Sequence, residues 1–337
     1  MTPQRAPLSI LACNSGKYFA DKIAKELSKK YNQDIHVIDS SEITFANTEI
    51  KTVINESIRG REVIIVQDVE NSTEGLSIDQ NLRAIYTAID ACKRCDAEYI
   101  TTVIPAYPYA RQDKQDGREG ITAARVAWEL EGELGTDHII TIDLHNNAIQ
   151  GFFRRAQIDN LRGSHVLIPH LKNLIKNREN TVIMPTDLGG AKKANYYAQQ
   201  LGCDIAFAYK ERNYSKPNSV DTLKVMGELQ DKEVFIIDDM ICTGGTLIRA
   251  AEQAKKAGAK YITAVCTLSL FNGEAIKRLE KAQKDGYIDK VIGTDATFLP
   301  KYFLKNTKWY EELSVAEYFA EAIYRINTRS SMSSILD

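Results

Sequence analysis

Residues Val234 to Thr246 read Val-Phe-Ile-Ile-Asp-Asp-Met-Ile-Cys-Thr-Gly-Gly-Thr. An apolar run that ends in two adjacent acids reads as a buried strand whose last residues leave the sheet. Carboxylates are poor sheet formers, and ligand sites of α/β proteins lie beyond strand ends. Thr243-Gly244-Gly245-Thr246 then opens a helical stretch, Leu247–Ala257. The first N–H groups of a helix have no partner inside it, so they point back into such a turn, and the positive helix end reinforces them. With two glycines to let the backbone approach, the turn suits a phosphate group. Asp238 and Asp239 suit neighbouring hydroxyls, as on a ribose, because ionised carboxylates only accept hydrogen bonds. A tight turn with a threonine cap and two solvated acids is the alternative. No GxxxxGK[ST] segment occurs, so a bound nucleotide is held in some other way.

Other polar groups follow apolar runs elsewhere. Arg111-Gln112-Asp113 lies in "PYARQDKQDGRE" (108–119). A guanidinium there can stack on a ring or fork onto phosphate oxygens; an exposed polar loop without a ligand is the alternative. His145 follows "IITIDL" (139–144) and reads as a metal ligand or as a hydrogen-bonded structural histidine. Lys210-Glu211-Arg212 follows "DIAFAY" (204–209), either as cations aimed at an anion or as a solvated basic loop. Cys92 and Cys95 make a poor metal site, since structural zinc wants four ligands and no second such pair exists.

The elements that must position these groups show as a pattern. Apolar, β-branched runs at 61–68, 97–105, 137–145, 180–187, 232–239 and 259–267 alternate with amphipathic stretches such as Phe19–Tyr31. That alternation predicts an α/β fold of βαβ units on mainly parallel sheets flanked by helices. Gly258 falls where a helix would be capped. The chain also repeats itself. Residues 93–103 (KRCDAEYITTV) and 255–265 (KKAGAKYITAV) are identical at six of eleven positions. Glu62-Val63 lines up with Glu233-Val234, and Asp34-Ile35 with Asp204-Ile205. Two copies of one domain are expected, 1–160 and 161–337, which also suits a length of 337 residues.

Forty-three Lys and Arg against forty-five Asp and Glu leave a net charge of -2, so no global field recruits nucleic acid or an anionic membrane. The apolar run Leu8–Cys13 is too short for a signal peptide, and no stretch approaches a membrane span. Six scattered cysteines fit reduced thiols, and the cytoplasm is the expected compartment.

The turn at 238–246 resembles the phosphoribosyl-pyrophosphate signature of the phosphoribosyltransferase fold. Several further segments resemble the ribose-phosphate pyrophosphokinase family: "NESIRGREVIIVQD" (55–68), "IPAYPYARQDK" (104–114), "DLHNNAIQGFF" (143–153), "PTDLGGAKKA" (185–194) and the Ser331-Met332-Ser333 tail. The likeness runs from about Ser15 to the C-terminus. It implies two tandem phosphoribosyltransferase-like domains, ATP and ribose 5-phosphate as substrates, and Mg²⁺ as cofactor. Phe45, Asn47 and Glu49 fall in the family's adenine loop, and Arg111, Gln112 and Asp113 match a segment used against ATP. His145 matches a histidine beside Mg-ATP, and Asp187 an acid that helps hold the second substrate and its Mg²⁺. Asp238, Asp239 and Thr243-Gly244-Gly245-Thr246 would take the ribose diol and 5-phosphate, while Lys210 and Arg212 match the loop that acts on the transferred diphosphate. The family assembles as homo-oligomers built from dimers, up to hexamers, and its serine tail is linked to phosphate and ADP control.

Three positions depart from the family's pattern: Asn47-Thr48 replaces Asp-Gly, Cys242 replaces a third acid of the cradle, and Glu211 replaces a basic residue. They leave a second expectation open, a non-catalytic regulatory subunit associated with such an enzyme. A nucleobase phosphoribosyltransferase is disfavoured by the chain's two-domain length and its Arg-Gln-Asp segment. A sugar-binding transcription regulator is disfavoured because no basic DNA-reading module precedes the fold.

Overall fold

The computed structural model describes residues 4–71, 75–211 and 222–336. In chain order come β1 (Leu8–Ala12), α1 (Lys17–Tyr31), β2 (Ser40–Thr44), β3 (Ile50–Ile54), β4 (Glu62–Val66), α2 (Ile78–Arg94), β5 (Tyr99–Val103), α3 (Thr122–Trp128), β6 (His138–Ile142) and β7 (Gln157–Leu161). They are followed by α4 (Ser164–Leu174), β8 (Thr181–Pro185), α5 (Ala191–Leu201), β9 (Asp204–Ile205), β10 (Phe207–Glu211), β11 (Thr222–Met226), β12 (Glu233–Met240), α6 (Gly245–Lys256) and β13 (Tyr261–Leu268). The last are α7 (Ala275–Lys284), β14 (Lys290–Thr294), α8 (Lys301–Asn306), β15 (Tyr310–Leu313) and α9 (Ala316–Asn327). Among the described residues, no helix is long and apolar enough to cross a membrane.

Two compact units result. In the first, parallel strands take the order β1-β4-β5-β6-β7, and β2 pairs with β3 as an antiparallel hairpin. Every residue of β4 is buried, as expected of a strand covered on both faces. Val63 and Ile65 join a cluster with Ile85, Ile89 and Val126. The turn from β1 to α1 runs so close to the end of β4 that a Cβ on Gly16 would stand 2.4 Å from the Val66 carbonyl oxygen, which only glycine permits.

In the second unit the order is β15-β14-β13-β12-β8-β9, again parallel, with β10 and β11 as an antiparallel hairpin. Successive residues of β12 serve opposite faces: Val234 and Ile236 pack with Leu247 and Ala251, Phe235 and Ile237 with Leu167 and Tyr197. Two buried faces explain why this strand reads as an unbroken apolar run.

The repeat is also one of contacts. Glu62 pairs with Tyr99 as Glu233 pairs with Tyr261. Asp137 accepts from the Ile100 N–H at 2.8 Å and meets Lys93 at 3.4 Å; Asp289 accepts from the Ile262 N–H at 2.7 Å and meets Lys255 at 3.2 Å.

The first unit takes residues up to Arg162 and also Asp295–Phe298 and the segment from Ser314 onward. This corrects the expected extent of the second domain, 161–337. The reason is apolar spacing: Ala316, Phe319, Ala320 and Ile323 are buried along one side of α9, and the Phe319 ring meets Phe19 of α1 edge to face at 5.1 Å. Asp295–Phe298 is held by Asp68, a buried carboxylate that accepts from the Phe298 N–H at 2.7 Å and the Tyr18 hydroxyl at 2.9 Å. Phe319→Ala should therefore destabilise the chain by about 3–5 kcal/mol in urea unfolding, the scale for deleting a buried ring. The exposed neighbour variant Glu317→Ala should change stability by less than about 0.5 kcal/mol.

Candidate active site

In the second unit, β9 lies on one side of β8 and β12 on the other, so chain order turns back between β8 and β12. At such a point the connections leave the sheet in opposite directions and open a crevice beyond the strand ends. Register places Ile237 beside Pro185, so Thr186 and Asp187 leave the sheet next to Asp238 and Asp239. The Thr186 hydroxyl donates to Asp238 Oδ2 at 2.8 Å. The backbone N–H of Asp239 donates to Asp238 Oδ1 at 2.8 Å, and that of Met240 to Asp239 Oδ1 at 2.8 Å. Burial, and then the hydrogen bond and charge of Asp239, push the Asp238 carboxyl up to about 7.

Asp187 has a local duty. Its Oδ1 accepts from the N–H groups of Gly189 at 2.8 Å and Gly190 at 3.3 Å, shaping the turn into α5. Among the described residues, no hydrogen bond reaches its Oδ2.

The cradle follows β12. Gly244 adopts φ +74°, a left-handed conformation that glycine takes without strain. The N–H of Ile248 bonds to the Gly244 carbonyl at 2.9 Å and closes the first turn of α6. The N–H groups of Gly245, Thr246 and Leu247 come before that bond and take no acceptor among the described residues. Thr243 and Thr246 are exposed. The Cys242 thiol donates to Asn272 Oδ1 at 3.0 Å. Phosphate is thus offered backbone donors at a helix end with hydroxyls beside them, next to a carboxylate pair.

Lys210 lies in β10 opposite Leu223 of β11. Arg212 lies outside the described residues.

The expected nucleotide residues lie in the first unit. Phe45 to Glu49 form the tip of the β2–β3 hairpin, closed by the Phe45 N–H on the Glu49 carbonyl at 2.8 Å. Asn47 Oδ1 accepts from the Glu49 N–H at 3.2 Å, and the Phe45 side is 48% exposed, a free face for stacking. Beyond β5, Gln112 Oε1 accepts from the Thr122 hydroxyl at 2.5 Å and Asp113 Oδ2 from the Asn146 amide at 2.6 Å. Arg111 is exposed and takes no partner among the described residues. His145 is exposed just beyond β6. The structure thus joins the segment after β5 to the turn after β6, through Asn146. Sequence reasoning missed Thr186 and Asn146. Thr186 had a signal, a hydroxyl at a strand end beside an acid; Asn146 had none, because its partner is 33 residues away.

Each unit carries candidate residues at the carboxyl ends of a parallel sheet and on an antiparallel hairpin, and the two sheets define a tandem phosphoribosyltransferase-type protein. A family model of the N-terminal domain of ribose phosphate pyrophosphokinase matches residues 8–133, and one of the phosphoribosyl transferase domain matches 158–299. Ribose-phosphate pyrophosphokinase of Vibrio cholerae is 35% identical over 325 residues, covering 95% of this chain and 99% of that protein. The Campylobacter jejuni protein of the same name is 37% identical over 318 residues, covering 94% and 95%. The crystal structure of phosphoribosylpyrophosphate synthetase from Mycobacterium smegmatis superimposes with a TM-score of 0.81 at 31% identity, covering 95% of this chain and 98% of that one. The chain belongs to the ribose-phosphate pyrophosphokinase family.

If a vicinal diol uses the Asp238–Asp239 pair as acceptors, protonation should weaken its binding. Affinity for ribose 5-phosphate, measured by calorimetric titration, should fall as pH drops through about 7, at up to about tenfold per pH unit for one proton. An affinity that stays level from pH 8 to pH 6 would remove Asp238 from diol recognition.

Proposed function

We propose that this chain transfers the β,γ-diphosphate of Mg-ATP to the C1 hydroxyl of ribose 5-phosphate, giving phosphoribosyl pyrophosphate and AMP. The observation that carries the reading is the open α6 N-terminus beside the Asp238–Asp239 pair, in a chain that matches ribose-phosphate pyrophosphokinases over nearly its whole length. The N–H groups of residues 245–247 and the hydroxyls of Thr243 and Thr246 hold the 5-phosphate, and the two carboxylates hold the 2- and 3-hydroxyls. These contacts aim the C1 oxygen at the β-phosphorus of ATP. A bond forms from that oxygen to the β-phosphorus, the bond from the β-phosphorus to the oxygen bridging to the α-phosphorus breaks, and the proton of the C1 hydroxyl is lost to solvent. Among the described residues, none stands out as a general base. Such a transfer asks the protein mainly for in-line positioning and charge neutralisation.

Phe45 would stack on the adenine, with Asn47 and Glu49 shaping its loop, and Arg111 would meet the ATP phosphates. His145 would stand beside Mg-ATP. Lys210 and Arg212 would act as charge builds on the transferred group. Mg²⁺ bound with ATP would supply neutralisation of phosphate charge. The spare oxygen of Asp187 suits a second Mg²⁺ near the sugar, since this ion prefers oxygen donors and keeps most of its waters. The departures at Cys242 and Glu211 spare these groups, and Asn47 itself accepts from the Glu49 N–H and so holds the loop. Cys242 bonds to Asn272, and backbone donors do not depend on its side chain. All six cysteines are free thiols, which supports a reducing compartment such as the cytoplasm. A homo-oligomer built from dimers is proposed from the family resemblance alone.

The purified chain should form AMP from ATP, Mg²⁺ and ribose 5-phosphate, and Cys242→Asp should stay within about tenfold of it, roughly 1.4 kcal/mol of barrier. A silent chain restored by Cys242→Asp would overturn the proposal. Lys210→Ala should lower kcat by about 10²–10³ with little change in either KM, as for a donor used only in the transition state. A loss confined to KM would make Lys210 a ground-state contact.

A further inference from the structure

The turn that carries His145 is fastened on both sides of that residue. At the end of β6 the ladder to β7 continues as far as the Asp143 N–H, which bonds to the Leu161 carbonyl at 2.9 Å. Asp143 then takes φ +48°, which is left-handed for a residue with a Cβ and swings the chain out of the strand. The next N–H, on buried Leu144, finds a side chain in place of the ladder: Asn160 Oδ1, at 3.0 Å. The amide nitrogen of Asn160 donates to Asn147 Oδ1 at 2.9 Å. On the other flank, Asn146 Oδ1 accepts from the Ala148 N–H at 3.0 Å while its amide donates to Asp113 Oδ2 at 2.6 Å. The far end of the loop is pinned as well, because Glu131 Oε2 accepts from the N–H groups of Arg154 and Arg155, each at 2.8 Å, and Ala156 at 3.1 Å.

We propose that Asn160 is a positioning residue for the nucleotide, holding the 144–147 turn so that His145 meets Mg-ATP. Asp113 acts with it through Asn146 rather than by touching the nucleotide. The inference rests on the proposed role of His145. Asn160 lies opposite Thr141 on β7, the outermost strand of its sheet. It is well placed for the task, because its amide supplies both an acceptor and a donor to one turn. A small shift of a positioned group is enough to weaken a contact that depends on its place.

The test is calorimetric titration of the full chain with Mg-ATP and, separately, with ribose 5-phosphate, so that no turnover is needed. Asn160→Leu keeps the size and removes both bonds. It should bind Mg-ATP about 10- to 100-fold more weakly, with ribose 5-phosphate affinity unchanged. Unchanged Mg-ATP affinity in a folded Asn160→Leu, or equal loss for both ligands, overturns the inference. If Asn160→Leu does not fold, Asn146→Ala decides: it removes the tie to Asp113 and should weaken Mg-ATP about 3- to 10-fold, and wild-type affinity would overturn the inference. A wild-type chain that binds ribose 5-phosphate but no Mg-ATP would sink the proposed function itself, a result separate from either variant's.

Discussion

The parallel pairing of β8 with β12 is the contact on which the candidate ribose site depends. Register Ile237 to Pro185 brings Thr186 and Asp187 beside Asp238 and Asp239, although some fifty residues separate the two strands. Because both strands point the same way, their last residues leave the sheet at one edge, and the helix that follows β12 presents its N-terminus there. The Asp238 carboxyl accepts from Thr186 on one side and from the Asp239 backbone on the other, which orients it before any ligand arrives. Burial, with the neighbouring charge, places its titration near neutrality. Slipping the register by one residue would turn Asp238 to the opposite face of the sheet.

The same architecture has been put to a different use in the first unit. Gln67 and Asp68 stand where the second unit has Asp238 and Asp239, by the alignment of Glu62 with Glu233. Gln67 is buried, its amide donating to the Asn81 carbonyl at 3.1 Å, and Asp68 is occupied by Tyr18 and Phe298. Acceptors that face a crevice in one copy are packing partners in the other. The hairpins also correspond: β2–β3 carries the exposed Phe45, and β10–β11 carries Lys210. Duplication thus supplied two frames, and the side chains at equivalent strand ends decide what each can hold.

Within the first unit, the polar segment after β5 is less open than its composition suggests. Gln112 accepts from Thr122 and one oxygen of Asp113 accepts from Asn146, and Arg111 is left exposed. Polar side chains in such a loop divide between building it and facing a ligand, and spacing alone does not say which. Asp187 shows the same division within one carboxylate, with one oxygen capping a turn and the other open.

What the amino-acid order determined by itself is whatever local chemistry specifies. The unbroken apolar run of β12 announces a strand buried on both faces, the Thr-Gly-Gly-Thr turn announces a helix start with open N–H groups, and the likeness of 93–103 to 255–265 announces a doubled domain. Tertiary structure alone decided the rest. Ser314 onward joins the first unit because Phe319 meets Phe19, 300 residues away in sequence. Thr186 meets Asp238, and Asn160 meets Leu144, because parallel strands are aligned by their ladders. The reason is physical: a contact between residues apart in sequence leaves no periodicity or turn signature, and it exists only once the elements have packed and the sheets have set the register.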